Sequence, residues 1–254
     1  MYNIIIFDLD DTLTNDKENI REAFKEVVKF KNEKYSDEKF EKFYRVDKDT
    51  WKKRTAGELI TPYEDSNEKK AEWLRAYRFI KYYNDEITYN EAVNLNNVYM
   101  EGMKKKVISR ENAYETIKYI HNKGYKIVIA TNGPIVPLKE KINKLGITQY
   151  IFKVFSAEEV GAMKPHEDFY KGLFKKIEVK LSDKILFIGD ELEKDIKGAI
   201  ENKIDTCWCN YNKEKNTKYK VNYEIHNLKE LTSILWCWFF FIFKLKYIID
   251  AGII

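Results

Sequence analysis

Short runs of apolar residues that end in polar side chains occur at the start of the chain and again after residue 109. The first run is Ile-Ile-Ile-Phe at residues 4–7, directly followed by Asp8. A continuous apolar run of this length is typical of a parallel strand buried on both faces. Further strand patterns occur at 126–131, 152–155 and 185–189, with weaker ones at 205–209 and near 219–224. Helical patterns alternate with them near 111–123, 135–145, 166–177 and 193–202. This alternation predicts an α/β fold with a doubly wound parallel sheet.

The stretch from 17 to 107 has a different character. It is charged, rich in Tyr and helical in its periodicity, without a convincing strand pattern. Because it follows the first strand, we expect 1–16 and 108–235 to form a core domain and 17–107 to form an inserted all-helical cap. Its aromatic side chains either stack on a ligand or pack a helical interior, and packing is favoured for most of them: Trp51, Tyr63, Trp73, Tyr77, Tyr82, Tyr83, Tyr89 and Tyr99.

Composition narrows the class of protein. The 254 residues include 45 basic and 41 acidic side chains, a net charge of +4, with 10 Gly and 4 Pro, which excludes collagen-like and disordered chains. Charges of both signs are interspersed, and all but six of the basic residues are Lys, which reads bases poorly. We therefore expect no nucleic-acid polymer as a partner.

The cysteines and the first residues of the chain indicate the cellular compartment. Cys207, Cys209 and Cys237 are an odd number of thiols without zinc-ligand spacing, which favours free thiols in a reducing cytoplasm. The opening segment MYNIIIFDLDD has too short an apolar run for a signal peptide. We expect a cytoplasmic protein.

Carboxylates follow two of the predicted strands. Asp8 and Asp10 come directly after the first strand, and Asp190 and Asp195 follow the strand at 185–189. The carboxyl ends of parallel strands form one edge of the sheet, where ligands bind. Neighbouring carboxylates repel unless a cation joins them, and Mg²⁺ is the cation that suits carboxylate and phosphate oxygens together. The pattern predicts a magnesium site at this edge.

Groups suited to an oxyanion occur at the same edge. Thr131 ends the second strand and Asn132 follows it, where a hydroxyl and an amide can donate hydrogen bonds to phosphate. Lys164 precedes Pro165 at the start of a predicted helix and can supply a point charge. Each segment alone is a common turn or helix start, so the prediction of a phosphate site depends on their joint occurrence.

These segments, in this order, resemble the four motifs of the haloacid dehalogenase (HAD) superfamily of phosphohydrolases. The matching segments are Asp8-Leu-Asp10-Asp-Thr12, Thr131-Asn-Gly133, Lys164-Pro165 and Gly189-Asp190-(x4)-Asp195. The resemblance covers roughly residues 1–232, and the inserted block resembles the helical cap of the superfamily's first cap class. Hinges for its opening and closing would lie near 13–17 and 107–110.

The resemblance also implies roles for these residues. Asp8 would be the nucleophile that forms an aspartyl-phosphate, and Asp10 would protonate the leaving group and then activate water. Thr131 and Lys164 would bind the transferring phosphoryl group. Mg²⁺ would be bound by Asp8, Asp190 and the main-chain carbonyl of Asp10, with Asp195 in or just behind that shell. Dehalogenating members lack an acid at the position of Asp10, so phosphatase chemistry is favoured.

Three local segments narrow the expected substrate. Residues 130–133, 158–165 and 205–210 look like the branch that dephosphorylates nucleoside monophosphates. Phosphatases of sugar phosphates and other small metabolites share most of this pattern and remain the alternative.

Two further hypotheses belong to other classes of protein. One is a phospho-aspartate receiver, which has a different motif order and about half this length. The other is a binding protein without catalysis.

The C-terminal segment does not fit this picture. Residues 234–243 are ten consecutive apolar side chains, and 236–254 have no counterpart in the resemblance. The run is too short to span a bilayer, which needs roughly 17–25 residues. Attachment to a membrane surface or a partner, and an extra element packed on the core, are two accounts. An extension without selected function is the most economical one.

Overall fold

The computed structural model describes residues 2–63, 66–133, 135–180 and 182–235. Their contacts divide the chain into two compact units. Residues 2–15 and 108–235 form what we call the core unit, and Asp16–Val107 form the helical unit. The segment 236–254, and the hypotheses on it, lie outside the described residues.

The core unit is built on a parallel β-sheet. Its strands within the described residues are β1 (Ile4–Phe7), β2 (Lys126–Thr131), β3 (Lys153–Ser156), β4 (Ile185–Gly189), β5 (Asp205–Cys209) and β6 (Tyr223–Ile225). They lie in the order β3-β2-β1-β4-β5-β6, and every neighbouring pair is parallel. The chain thus moves outward from β1 to β3, returns to β4 beside β1, and moves out the other way. The predicted doubly wound α/β fold is confirmed, and the reversal between β1 and β4 is where such sheets bind ligands.

β1 is apolar at every position because both faces of the sheet are covered. Its four side chains are at most 3% exposed. Ile4 and Ile6 belong to a buried cluster with Phe169 and Leu173 from the helix that begins at Glu167. This packing fixes β1 at the centre of the sheet, so the residues that follow it leave the core at a defined point.

The helical unit has its own core. Its helices are α1 (Asp16–Phe30), α2 (Asp37–Thr55), α3 (Asn67–Tyr82) and α4 (Tyr89–Lys105). Ser36, Ser66 and Thr88 cap α2, α3 and α4, each accepting a hydrogen bond from the backbone three residues on. Aromatic rings fill the interior: Phe24, Phe40, Phe43, Phe79, Tyr82 and Tyr99. Tyr82 and Tyr99 therefore pack in the core of the helical unit, the role expected for most aromatic side chains of 17–107.

Helices flank the sheet of the core unit. They are α5 (Ala113–Asn122), α6 (Ile135–Lys144), α7 (Ala157–Val160), α8 (Glu167–Ile177), α9 (Lys197–Glu201) and α10 (Leu231–Ile234). Short 3₁₀ turns lie at Thr148–Tyr150 and Leu228–Glu230. Among the described residues, no helix is both long and apolar enough to cross a bilayer.

Two elements differ from the sequence prediction. The helix expected over 193–202 begins as a π-helical turn, Leu192–Ile196, before α9. The amides of Asp195 and Ile196 both donate to the carbonyl of Glu191, at 2.8 and 3.3 Å, which widens the turn. The strand expected over 219–224 begins only at Tyr223, because the Asn222 side chain accepts the Thr206 amide (2.9 Å) in place of a backbone pair.

Gly102 tests the packing of α4 against α1. A β-carbon at Gly102 would lie 2.8 Å from the Cα of Ala23. Because that atom belongs to a packed backbone, we expect Gly102→Ala to lower the free energy of unfolding by about 1–3 kcal/mol. Helix propensity alone would raise it by about 1 kcal/mol. Urea unfolding of this variant, with the exposed Glu101→Ala as control, measures the sign, and a gain in stability would contradict the close contact.

Candidate active site

The segment after β1 brings the first two carboxylates to the edge of the sheet. The Asp8 amide still donates to the Ile188 carbonyl of β4 (2.9 Å), so the carboxylate begins where pairing ends. Leu9 and Leu13 are buried, and the Leu13 amide donates to the Leu9 carbonyl (2.8 Å), which turns the chain. Asp10 lies on this turn and is less buried than Asp8.

Lys164 joins two carboxylates in the interior. Its Nζ lies 2.5 Å from Asp8 Oδ1 and 2.7 Å from Asp195 Oδ1. The Lys164 residue is 4% exposed, Asp8 6% and Asp195 2%. Burial alone would lower the pKa of Lys164, but Asp195 and Asp8 outweigh it and hold that pKa above its ordinary value. The ammonium is therefore charged, and it links the end of β1 with the turn after β4.

Asn132 holds the Lys164 backbone. Its side-chain oxygen accepts the Lys164 amide (2.8 Å), and its nitrogen donates to the Lys164 carbonyl (3.0 Å). The sequence assigned Asn132 to phosphate binding. That direct contact stays a prediction, and the structure adds a positioning role that the sequence did not show.

Asp195 is set in place by the π-helical turn. Its Oδ2 accepts the Glu191 amide (3.1 Å), and the Tyr170 hydroxyl of α8 donates to its carbonyl (3.3 Å). A β-carbon at Gly189 would lie 2.5 Å from the Asp195 β-carbon, so only glycine fits there. Both Asp195 carboxylate oxygens are thus hydrogen-bonded within the protein.

Asp190 lies at the end of β4 beside the segment that follows β1. Its Oδ1 accepts the Thr12 hydroxyl (2.9 Å), and its carbonyl accepts the indole N–H of the buried Trp208 (2.8 Å). Oxygens of Asp8, Asp190 and Asp195 lie within 4.8 Å of one another. The structure therefore brings the predicted metal carboxylates of both strands together.

Thr131 and Asp10 both lie close to Gly133. The Thr131 hydroxyl accepts the Gly133 amide (3.0 Å). A β-carbon at Gly133 would lie 3.3 Å from Asp10 Oδ2 and 3.5 Å from Thr131 Oγ1. The second predicted carboxylate and the predicted phosphate-binding hydroxyl thus lie close to the same backbone turn.

Three residues at the site were missed from the sequence. Lys141 of α6 lies with its Nζ 2.5 Å from Asp10 Oδ1. The Arg110 Nε donates to the Asp11 carbonyl (3.0 Å), and its guanidinium lies 4.4 Å from the centroid of the Tyr211 ring. The Tyr211 hydroxyl in turn donates to the Thr12 carbonyl (2.7 Å). Arg110 and Tyr211 therefore hold the segment after β1. No motif marks these positions, and Lys141 is one of several Lys on its helix.

The cluster has an excess of negative charge. Burial raises the pKa of Asp8 to about 8. Lys164 lowers this pKa, and Asp195 and Asp10 raise it, so the ammonium offsets the burial only in part. Burial, together with Asp195 and Asp8, raises the pKa of Asp190 well above its ordinary value. Three carboxylates against one ammonium suit a divalent cation, which would favour their ionised forms.

The donor set indicates which carboxylates would bind such a cation. Among the described residues, Asp8 and Asp190 each use one carboxylate oxygen in a hydrogen bond, whereas Asp195 uses both. Oxygen ligands of this kind suit Mg²⁺ or another hard divalent cation. The residues fit a cation that contacts Asp8 and Asp190 with Asp195 behind them.

The fold and the site define a class of α/β protein whose buried Asp-Lys-Asp cluster and second carboxylate meet at the carboxyl edge of a doubly wound sheet. Within that class, the chain belongs to the haloacid dehalogenase-like hydrolases, whose family model matches residues 2–202.

Two of the relatives compared below match most of this chain, and a third matches about half of it. The HAD-hydrolase YfnB of Bacillus subtilis is 23% identical over 92% of this chain and 95% of its own. The crystal structure of YfnB bound to magnesium has a TM-score of 0.78 at 22% identity, over 92% of this chain and 98% of that chain. The glyceraldehyde 3-phosphate phosphatase of Methanocaldococcus jannaschii is 26% identical over 91% of this chain and 96% of its own. The pyrimidine 5′-nucleotidase PynA of Streptococcus pneumoniae is 29% identical, over 48% of this chain and 52% of its own.

The raised pKa values predict how stability depends on pH in cation-free protein. Folding raises the pKa of Asp8 from 3.8 to about 8, so in that range the folded state binds more protons than the unfolded state. The free energy of unfolding should therefore fall as the pH rises toward 8. A divalent cation that binds the ionised carboxylates should restore stability, more at high pH than at low pH.

Thermal unfolding in chelator and in excess Mg²⁺ at about pH 5.5 and about pH 8 measures this dependence. The Asp8→Asn variant, which cannot ionise at this position, should show a shallower decline. A cation effect of equal size at both pH values would contradict the account.

Proposed function

We propose that this chain is a phosphomonoesterase that uses Mg²⁺ and an aspartyl-phosphate intermediate. The observation that carries the proposal is the pair of carboxylates after β1. Asp8 is buried against Lys164, and Asp10, two residues on, lies beside Thr131 and Gly133. Two carboxylates in different surroundings suit two different roles, nucleophile and proton donor.

The proposed reaction has two steps. A carboxylate oxygen of Asp8 attacks phosphorus, the phosphorus–oxygen bond to the ester breaks, and Asp10 gives its proton to the leaving oxygen. Asp10 then accepts a proton from a water molecule that attacks the phosphoryl group. Phosphate leaves and the Asp8 carboxylate is regenerated.

Positive charge and hydrogen bonds would support both steps. Lys164 would hold the Asp8 carboxylate in place and offset charge on the phosphoryl oxygens, while the Thr131 hydroxyl would donate to one of them. Asp8, Asp190 and the main-chain carbonyl of Asp10 would hold Mg²⁺, which would add positive charge against the phosphoryl group.

The proposed substrate is a nucleoside 5′-monophosphate. The segments 130–133, 158–165 and 205–210 resemble the nucleotidase branch, and the similarity to PynA supports this proposal. A sugar phosphate or another small phosphorylated metabolite is the second candidate. It is favoured by the similarity to the Methanocaldococcus jannaschii phosphatase, which covers 91% of this chain.

The helical unit is proposed to act as the cap that admits substrate. The chain enters and leaves it through two segments that pair within the core unit. Thr14 forms an antiparallel bridge with Ser109, the Asn15 amide donates to the Ile108 carbonyl, and the Arg110 amide donates to the Leu13 carbonyl, both at 2.8 Å. These paired segments lie where the hinges were predicted.

The proposed setting is the cytoplasm, with a small phosphorylated metabolite as partner and no nucleic-acid polymer. Cys207 and Cys209 are buried free thiols of β5, and burial raises the pKa of both. Buried thiols with raised pKa values are poorly reactive, which agrees with a structural role in a reducing compartment.

Asp8→Asn tests the nucleophile. We expect it to lower kcat for p-nitrophenyl phosphate by roughly 10⁴-fold or more, because the amide cannot form the phosphoenzyme. Its circular dichroism spectrum should match that of the parent chain. The exposed Asp168→Asn on α8 is the matched control and should keep full activity. Retained hydrolysis in Asp8→Asn would refute the proposed mechanism.

A substrate panel separates the two candidates. Values of kcat/KM with Mg²⁺ for uridine, cytidine and adenosine 5′-monophosphates are compared with those for ribose 5-phosphate and glyceraldehyde 3-phosphate. We expect the best nucleotide to exceed the best sugar phosphate by about tenfold or more. The reverse order would establish the second candidate instead.

A further inference from the structure

Lys141 lies within the core unit against the carboxylate proposed as proton donor. Its Nζ lies 2.5 Å from Asp10 Oδ1, and its side chain is 14% exposed. It comes from α6, the helix that follows β2, whereas Asp10 follows β1. The contact therefore links two separate elements at the edge of the sheet.

The two oxygens of Asp10 have different surroundings. Oδ1 accepts from Lys141, and Oδ2 lies near Gly133 on the side of the Thr131 hydroxyl. A carboxylate at the end of a strand can rotate about its side-chain torsions unless it is held. Lys141 holds one oxygen, so the other is directed toward the turn that carries the predicted phosphate-binding hydroxyl.

Stability gives little reason for such a pair. A partly exposed Lys-Asp pair contributes little to folding, because desolvation and lost side-chain entropy offset the attraction. Lys139 and Lys144, on the same helix, are exposed, as is usual for Lys. Of these three residues, Lys141 is the one that contacts the site, and this position indicates a role in the reaction.

We propose that Lys141 is a positioning residue that holds Asp10 in the orientation for proton transfer. The inference rests on the proposed phosphomonoesterase function. Lys141 donates a hydrogen bond to Oδ1 throughout. The proton that reaches the leaving oxygen, and later the proton taken from water, pass through Asp10 Oδ2. Lys141 itself gains and loses no proton.

A pair of substrates that differ only in the leaving group tests this role. Nitrophenolate is a stable anion and needs little protonation, whereas phenolate needs more. If Lys141 orients the proton donor, Lys141→Met should lower the first-turnover rate of phenol release from phenyl phosphate by about 10²-fold or more. For p-nitrophenyl phosphate the loss in the first-turnover rate of nitrophenolate release should stay below about tenfold, and both KM values should change little.

Three further variants sharpen the test. Lys141→Arg keeps a donor and should recover most of the loss on phenyl phosphate. Lys139→Met, on the exposed face of α6, should behave as the parent chain. In an Asp10→Asn background, Lys141→Met should cause no further loss, because residues that act as one unit are not additive.

Each other outcome overturns the inference. Equal losses on both substrates would indicate a structural role, and a raised KM on both would indicate a phosphate ligand. An additive loss in the Asp10→Asn background would show that Lys141 acts apart from Asp10. If Lys141→Met does not fold, Lys141→Gln replaces it as the variant that removes the charge, and Lys141→Arg remains the variant that keeps a donor. If the parent chain hydrolyses neither substrate, the proposed phosphomonoesterase function is wrong. That result differs from one in which the parent chain is active and the Lys141 variants do not behave as expected.

Discussion

The site depends on one buried ammonium group. Lys164 lies between Asp8 and Asp195, at 2.5 and 2.7 Å, with almost no exposure to solvent. Removing one partner of such a cluster leaves an unpaired buried charge, which is strongly unfavourable. The surrounding structure is accordingly organised around it. Asn132 fixes the Lys164 backbone, and the π-helical turn with Tyr170 fixes Asp195.

The same constraint separates the two carboxylates after β1. Asp8 is buried, shares Lys164 with Asp195, and has a raised pKa in the absence of a cation. Asp10 is more exposed and has Lys141 as its partner. Asp8 and Asp10, two positions apart, thus lie in different surroundings, as the proposed roles of nucleophile and proton donor require.

Much of the fold could be predicted because its determinants are local. The apolar run of β1 requires burial on both faces, and strand–helix alternation requires a parallel sheet. The sequence motifs at strand ends also led to the family that the comparison shows. Asp8, Asp10 and Thr131 are predictable site residues because they lie at strand ends, and the carboxyl edge of such a sheet is where ligands bind.

What could not be predicted depends on contacts distant in sequence. Arg110 lies 99 residues from Asp11, and Lys141 lies 131 residues from Asp10. In one sequence, Lys141 has the same chemistry as the exposed Lys139 and Lys144, so nothing local distinguishes it. The π-helical turn was missed for a related reason. The pattern over 193–202 is helical throughout, whereas the close approach of Asp195 to Gly189 that accompanies the wider turn joins two different elements.

The chemistry of the core also explains why relatives named for different substrates resemble one chain. In the proposed reaction, the catalytic side chains act on the phosphoryl group or on the leaving oxygen. None of those groups differs between a nucleotide and a sugar phosphate. Selection for phosphoryl transfer can therefore preserve this cluster while the choice of substrate changes elsewhere. We therefore expect the residues that decide the substrate to lie outside the Asp8–Lys164–Asp195 cluster.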